Sequence, residues 1–211
     1  NKLSKHSLTY LKEGKTQMPT ALLEKKLLSQ GAELICGVDE AGVGAWAGPL
    51  VACAVIFHPD VYKDPLMERL QDSKKLRPTQ REELVSLIWD KAYSISIVSI
   101  RAELIDLMRM KRAHRQAIVS SVATLRNRFE NIEIGALIDG EILRSRCAIP
   151  LGKYTNFIDK ADSLSYSVAA ASIIAKTTRD KVMVQLDNEY SGYGFAQNKG
   201  YGTAEHLSAL Q

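Results

Sequence analysis

Asp39 and Glu40 stand side by side in Cys36-Gly37-Val38-Asp39-Glu40-Ala41-Gly42-Val43-Gly44, where a short apolar stretch ends and glycines begin. An apolar strand carries its own end into the core, and ionised carboxylates there are costly unless paired, hydrogen-bonded or metal-bound. The adjoining glycines allow a ligand's backbone to come close. Asp139 repeats the arrangement, closing Ala136-Leu137-Ile138 and preceding Gly140. Asp162 lies just before an Ala/Ser-rich helical segment, whose N-terminus would favour the ionised acid. If the strands ending at Asp39 and Asp139 are parallel neighbours, these acids meet at one sheet edge. Crowded carboxylates repel, so some stay protonated unless divalent cations remove the penalty. Oxygen-only ligands favour Mg²⁺ or Mn²⁺ over zinc. Two such ions roughly 3.5–4 Å apart can activate a water and stabilise the leaving oxygen of an in-line displacement. The competing reading of Asp39 and Glu40 is two acids in a solvated turn, and other residues must decide.

The elements that would position these acids follow from local pattern. Thr20 caps a short helix with Leu23 and Leu27 on one face and Gly31 as its stop. Leu34 to Val38 reads as a first strand and Leu50 to Phe57 as a second, ended by His58-Pro59, the two forming an antiparallel hairpin. Asp72-Ser73-Lys74-Lys75-Leu76 reads as a polar turn. Thr79-Gln80-Arg81-Glu82 reads as a capping box opening a helix to about Lys91. Tyr93 to Val98 alternates as a third strand. Arg101 to Phe129 is expected to be helical with a break near Asp106, Ile134 to Ile138 to be a fourth strand, and Thr155 to Ile158 a fifth. Ser163 to about Glu189 reads as a long helix whose Val168, Ala171, Ser172 and Ala175 make a narrow stripe for close packing on a sheet. Strands mixed with helices give an α/β or α+β layered fold.

The 211 residues suffice for one domain with a sizeable core, and 45% apolar with 25% charged residues is ordinary globular composition. The longest apolar run is too short to span a bilayer, and no signal peptide is expected. Cys36, Cys53 and Cys147 are odd in number and widely spaced, which argues against a zinc site or disulfide framework and for a reducing cytoplasm. The net charge of +4 resides in residues 1–30, where six lysines face Glu13 and Glu24. Residues 1–18 read as a flexible basic arm suited to a polyanion, and 19–211 as the catalytic domain, a monomer.

Taken in order, Gly37 to Gly42, Gly48-Pro49-Leu50-Val51, Asp72 to Leu76, Leu137-Ile138-Asp139-Gly140, Lys160-Ala161-Asp162-Ser163, Ser167 to Lys176, Tyr193-Gly194-Phe195 and Lys199-Gly200-Tyr201-Gly202-Thr203 resemble the type 2 ribonucleases H, in particular bacterial ribonuclease HII. The motifs cover most of residues 34–207. The resemblance implies an RNase H-like fold, an α/β arrangement with a mixed sheet of about five strands flanked by helices. It implies an endonuclease that cuts the RNA of RNA/DNA hybrids and also cuts at ribonucleotides embedded in duplex DNA, leaving 3′-hydroxyl and 5′-phosphate ends. It maps the family's four metal-binding acids onto Asp39, Glu40, Asp139 and Asp162, with Mg²⁺ or Mn²⁺ as cofactor, two ions in number. Substrate contacts map onto Gly42, Val43, Gly44 and Lys199, and a tyrosine that packs on the junction sugar maps onto Tyr201.

The chain departs from that pattern in places. The family's Gly-Arg-Gly loop reads Gly42-Val43-Gly44, so an arginine's bidentate phosphate contact is lost. Glu103 to Ala113 lacks the expected Asn- and Thr-containing stretch, and Asn198 replaces a usual histidine. Arg109, Lys111, Arg112 and Arg115 are candidates to restore phosphate contacts. Two alternatives remain open: a related nuclease with altered substrate or weakened junction selectivity, and a hybrid-binding protein with little catalysis. His114 and His206, with no acid at motif spacing, read as surface residues. Trp46 and Trp89 read as core.

Overall fold

Eight consecutive apolar residues, Leu50–Phe57, can be buried on both faces only inside a sheet that helices cover on each side. The computed structural model describes residues 18–70, 77–140 and 151–211, and all eight of these residues are buried in it. The described strands are β1 (Leu34–Ala41), β2 (Leu50–Phe57), β3 (Ala92–Ile100), β4 (Ile134–Asp139) and β5 (Thr155–Ile158), in the order β3-β2-β1-β4-β5. β1 pairs antiparallel with β2, and β2 with β3; β1 pairs parallel with β4, and β4 with β5. The sheet is therefore mixed, with the expected hairpin and the expected parallel neighbours at its centre. The helices are α1 (Leu22–Ser29), α2 (Pro78–Lys91), α3 (Ala102–Met108), α4 (Met110–Arg128), α5 (Tyr166–Glu189), α6 (Phe195–Asn198) and α7 (Ala204–Ala209). Among the described residues no helix is long and apolar enough to cross a membrane. The basic arm to residue 17, the Asp72–Leu76 turn and Cys147 lie outside the described residues.

Strand alternation assigns the layers. Leu34, Cys36 and Val38 of β1 join Ile134, Ala136 and Ile138 of β4 in a core packed under α4, through Ala113, Ala117, Ile118, Val122 and Leu125. Residues of opposite parity, Ile35 and Leu137, meet Val168 of α5 instead. Gly37 is where α5 touches the sheet: a Cβ there would lie 2.1 Å from the Ser167 carbonyl carbon. Any larger residue would lift α5 off β1. The same Cβ would lie 2.2 Å from Val168 N. Two residues along a strand advance about 7 Å and four along a helix, roughly one turn, about 6 Å. Ser172, one turn beyond Val168 on the same face of α5, therefore comes over Asp39, to which it hydrogen-bonds.

Several local expectations are corrected. Arg77, not Thr79, stands at the N-cap of α2, and Gln80, not Glu82, closes the box, accepting a hydrogen bond from Arg77 N at 3.0 Å; Pro78, pre-set for a first helical turn, moves the start upstream. The break in the 101–129 helix falls at Arg109, whose φ of +68° ends α3 and begins α4. α5 starts at Tyr166 because Ala161–Ser163 forms a separate 3₁₀ turn and Ser165 caps the helix, accepting from Val168 N. Trp46 and Trp89 are not core: they are 58% and 54% exposed.

Candidate active site

β1 runs beyond Val38 to Ala41, so Asp39 and Glu40 lie within a strand, paired with Cys53 and Ala52 of β2. On its other side the pairing with β4 stops at Val38↔Ile138. The sheet parts there, at the C-terminal ends of two parallel strands, the usual place for a ligand crevice in open α/β sheets. Asp39 and Asp139 directly follow that last pair and share the α5 face. They line a cleft of about 330 Å³ together with Glu40, Gly42, Val43, Gly44, Ser172 and Tyr201.

Asp39 is buried, and its carboxyl is pushed well above its usual pKa range. Loss of hydration is the largest cause, followed by the charges of Glu40 and Asp139. Hydrogen bonds from Ser172 and from Glu40 N, at 2.7 Å, pull the other way without cancelling it. Asp139 Oδ1 accepts from Ala161 N at 2.6 Å, which ties β4 to the 3₁₀ turn carrying Asp162. Asp162 is buried in that turn and does not line the cleft. Glu40, next to Asp39 in an extended strand, leaves from the opposite, α4 face. There His114 Nε2 stands 3.1 Å from Glu40 Oε1. Among the described residues, no three acids, histidines or cysteines are already drawn into a closed metal cage.

Two loops form the rest of the cleft, and a single side chain joins them. Arg179 of α5 is fully buried. It donates from Nε to Pro49 O at 2.8 Å, from Nη2 to Ala47 O at 2.9 Å and from Nη1 to Lys199 O at 2.7 Å. Burial lowers its pKa from the ordinary guanidinium value; the three carbonyls offset that cost. Gly42, at φ +110°, has no room for a side chain because a Cβ would sit 2.4 Å from Arg179 Nε. Arg179 and Lys176 both lie over the Tyr201 ring, at 5.3 and 5.4 Å from its centroid. Asn198 stiffens the same loop, donating to Tyr193 O and accepting from Gly200 N, both at 2.7 Å. Val43 is half-buried against the α4-side core. Lys199 points away: its Nζ meets Ala196 O, and the residue lines a neighbouring depression.

Both histidines contradict the expectation of surface positions. His114 is buried beside Glu40, and His206 is buried behind Tyr201, its Nδ1 3.0 Å from Tyr201 O. Sequence reading also missed Arg81 and Lys176 as cleft-lining cations; both pair with Asp180. It missed Arg179 too. The signal for Arg179 was its place on the narrow α5 stripe, four residues after Ala175 and four before buried Met183. An arginine there must find buried acceptors.

A family model describing ribonuclease HII matches residues 36–211. The ribonuclease HII of Acetivibrio thermocellus is 40% identical over 210 residues, covering all of this chain and 77% of that protein. Among solved structures, the Archaeoglobus fulgidus RNase HII in its complex with PCNA superposes with a TM-score of 0.69 at 27% identity, covering 84% of this chain and 86% of that one. Bst-RNase HIII in complex with Mn²⁺ shares the fold at a TM-score of 0.60 and 20% identity, over 94% of this chain and 75% of that one. With its RNase H-like sheet and a family match over most of its length, the chain belongs to the ribonuclease HII family of metal-dependent endoribonucleases that act on RNA/DNA hybrids.

Proposed function

We propose that this enzyme cuts both the RNA strand of hybrids and single ribonucleotides embedded in duplex DNA, and that Asp39, Glu40, Asp139 and Asp162 hold two Mg²⁺ or Mn²⁺ ions for the reaction. The observation that carries this reading is the convergence of Asp39, Glu40 and Asp139 on one cleft, with Asp39 destabilised as an anion by burial and by its two neighbours. The donors fit a hard divalent cation: they are all oxygen, and Glu40 Oε2 is buried without a hydrogen-bond partner. When bound, the ions supply an activated water and neutralise the leaving oxygen.

The remaining roles belong to the chain's own residues. Asp139 positions the turn bearing Asp162 through Ala161 N. Tyr201, held by Arg179, packs on the sugar at the RNA–DNA junction and so senses the 2′-hydroxyl that separates RNA from DNA. Gly42 and Gly44 bring backbone close to the ribonucleotide. Lys176 and Arg81 line the cleft as phosphate partners; Lys199 serves the flanking depression. Water's oxygen bonds to phosphorus as the P–O3′ bond breaks, which leaves 3′-hydroxyl and 5′-phosphate ends without help from the 2′-hydroxyl. The enzyme acts as a cytoplasmic monomer.

Val43 favours one variation on this reading. Its side chain packs against the core and offers no phosphate contact, so junction selectivity is weakened relative to an arginine-bearing loop. Cleavage of a long hybrid, of a duplex with one ribonucleotide and of an all-DNA duplex, each in Mg²⁺, Mn²⁺ and EDTA, tests the proposal. Metal-dependent cutting of the first two substrates and none of the third is expected. Cutting of the DNA duplex, or binding of hybrid without cleavage, would contradict it.

A further inference from the structure

His114 is one of the polar residues on the buried stripe of α4, between Ala113 and Ala117. Ser121, about two turns further on, spends its hydroxyl on Ile118 O. His114 Nε2 and Glu40 Oε1 approach to 3.1 Å, with the two side chains only 6% and 17% exposed. The approach is close but off the line of a formed hydrogen bond. Nε2 and the far carboxylate oxygen, Oε2, are both buried without a hydrogen-bond partner among the described residues. Unsatisfied buried polar atoms are uncommon, and a donor beside an acceptor in this state is poised to align.

We infer that His114 is a positioning residue that fixes the rotamer of Glu40, holding Oε1 so that Oε2 faces the cleft. This rests on the reading of Glu40 as a metal ligand. Strand alternation creates the need. Asp39 and Asp139 share the α5 face, whereas Glu40 starts on the α4 face and must bend around the strand to reach the same ion. A glutamate has three side-chain torsions to fix, and freezing them on binding costs affinity. A ring N–H supplied by α4 fixes them beforehand. The role needs only a proton on Nε2, which the imidazole carries both as the Nε2–H tautomer and as the cation. Partners of this kind behind metal-binding carboxylates typically change metal affinity about 10–100-fold when removed.

The test measures Mn²⁺ affinity by calorimetry and cleavage kinetics on a long hybrid. The variants are His114→Met, which fills similar volume without a donor, His114→Gln, which restores an N–H, Glu40→Gln, and the His114→Met/Glu40→Gln pair. His114→Met should weaken Mn²⁺ about tenfold or more and lower kcat with little change in KM for the hybrid. His114→Gln should recover most of both, and His114→Met should add nothing in the Glu40→Gln background. Equal losses for Met and Gln, or additive losses in the double variant, would reduce His114 to packing and overturn the inference. If Glu40→Gln itself binds Mn²⁺ like the parent, the ligand reading of Glu40 fails first and the inference with it. Nitrogen-15 NMR of the parent enzyme gives an answer independent of any His114 variant's folding. The His114 Nε2 resonance should shift on adding Mg²⁺, and should not in Glu40→Gln; an unmoved parent resonance overturns the inference.

Discussion

Replacing Arg179 by lysine keeps the charge and removes the fork. The guanidinium bonds three backbone carbonyls, Ala47, Pro49 and Lys199, from two loops far apart in sequence. A lysine ammonium in the same fully buried position can serve one of these acceptors well. Two charge-assisted hydrogen bonds are then lost, each worth about 1.5–3 kcal/mol. Their carbonyls are left facing a site closed to water. The lower end of that range, about 3 kcal/mol in total, is the expected loss, since some relaxation toward solvent softens the cost. For a chain of this size it corresponds to a fall in Tm of about 6–12 °C. Because Tyr201 and the Gly42–Gly44 loop both hang on this side chain, KM for hybrid should rise while kcat falls less. Thermal unfolding and steady-state cleavage of one preparation measure both effects. A variant within about 1 kcal/mol of the parent, with unchanged KM, would refute the idea that Arg179 joins the two loops.

Other expectations follow from the same geometry. Val43→Arg should raise activity on a lone ribonucleotide in DNA more than on a long hybrid, by a factor equivalent to about 1–3 kcal/mol; equal changes on both substrates would show that position 43 does not set junction preference. Mg²⁺ or Mn²⁺ should raise Tm relative to EDTA, since ions relieve a repulsion present only in the folded site. Asp39's folded pKa lies above its unfolded one, so its contribution is full at low pH and is lost as pH rises through the raised value; the metal increment in Tm should therefore grow with pH, and an increment independent of pH would count against the crowding. Glu24 is buried under the start of α5, its Oε1 accepting from Ser165 Oγ at 2.6 Å, Ser167 N at 3.0 Å and Ser167 Oγ at 2.9 Å. Burial raises its pKa, so its stability contribution is also lost as pH rises above the ordinary glutamate range. Glu24→Gln keeps the accepting oxygen and should flatten that decline in a Tm-against-pH series; an unchanged slope would mean Glu24 is ionised in the fold.

What the sequence made legible was whatever depends on near neighbours. Leu50–Phe57 needed only its own eight residues to be read as a buried strand, and its ends are those observed. The meeting of Asp39 and Asp139 needed one assumption about strand order, that two parallel strands are adjacent. Contacts between distant segments were not legible. His114 lacks an acid at any motif spacing because its acid, Glu40, is 74 positions away on another element. Its burial could have been read from the stripe of Ala113, Ala117, Ile118, Val122 and Leu125 that it shares. Trp46 was misplaced for the opposite reason: large aromatics are usually inside, but this one lies over Gly202, where a Cβ would come within 2.2 Å of the indole. The helix break at Arg109 rather than Asp106 rests on a left-handed φ at a residue type that rarely adopts it.

The central claim is that the acids at the parting of β1 and β4 hold the metal that cuts RNA, and Asp39→Asn tests it most directly. The substitution keeps the volume and removes an acid whose ionised form burial and its neighbours Glu40 and Asp139 disfavour. Circular dichroism and Tm should show an intact fold, no less stable without metal than the parent. Cleavage of a hybrid in Mg²⁺ should drop at least about a thousandfold, since ion-mediated stabilisation of several kcal/mol is lost. Turnover near that of the parent in Mg²⁺, from a folded Asp39→Asn protein, would contradict the account.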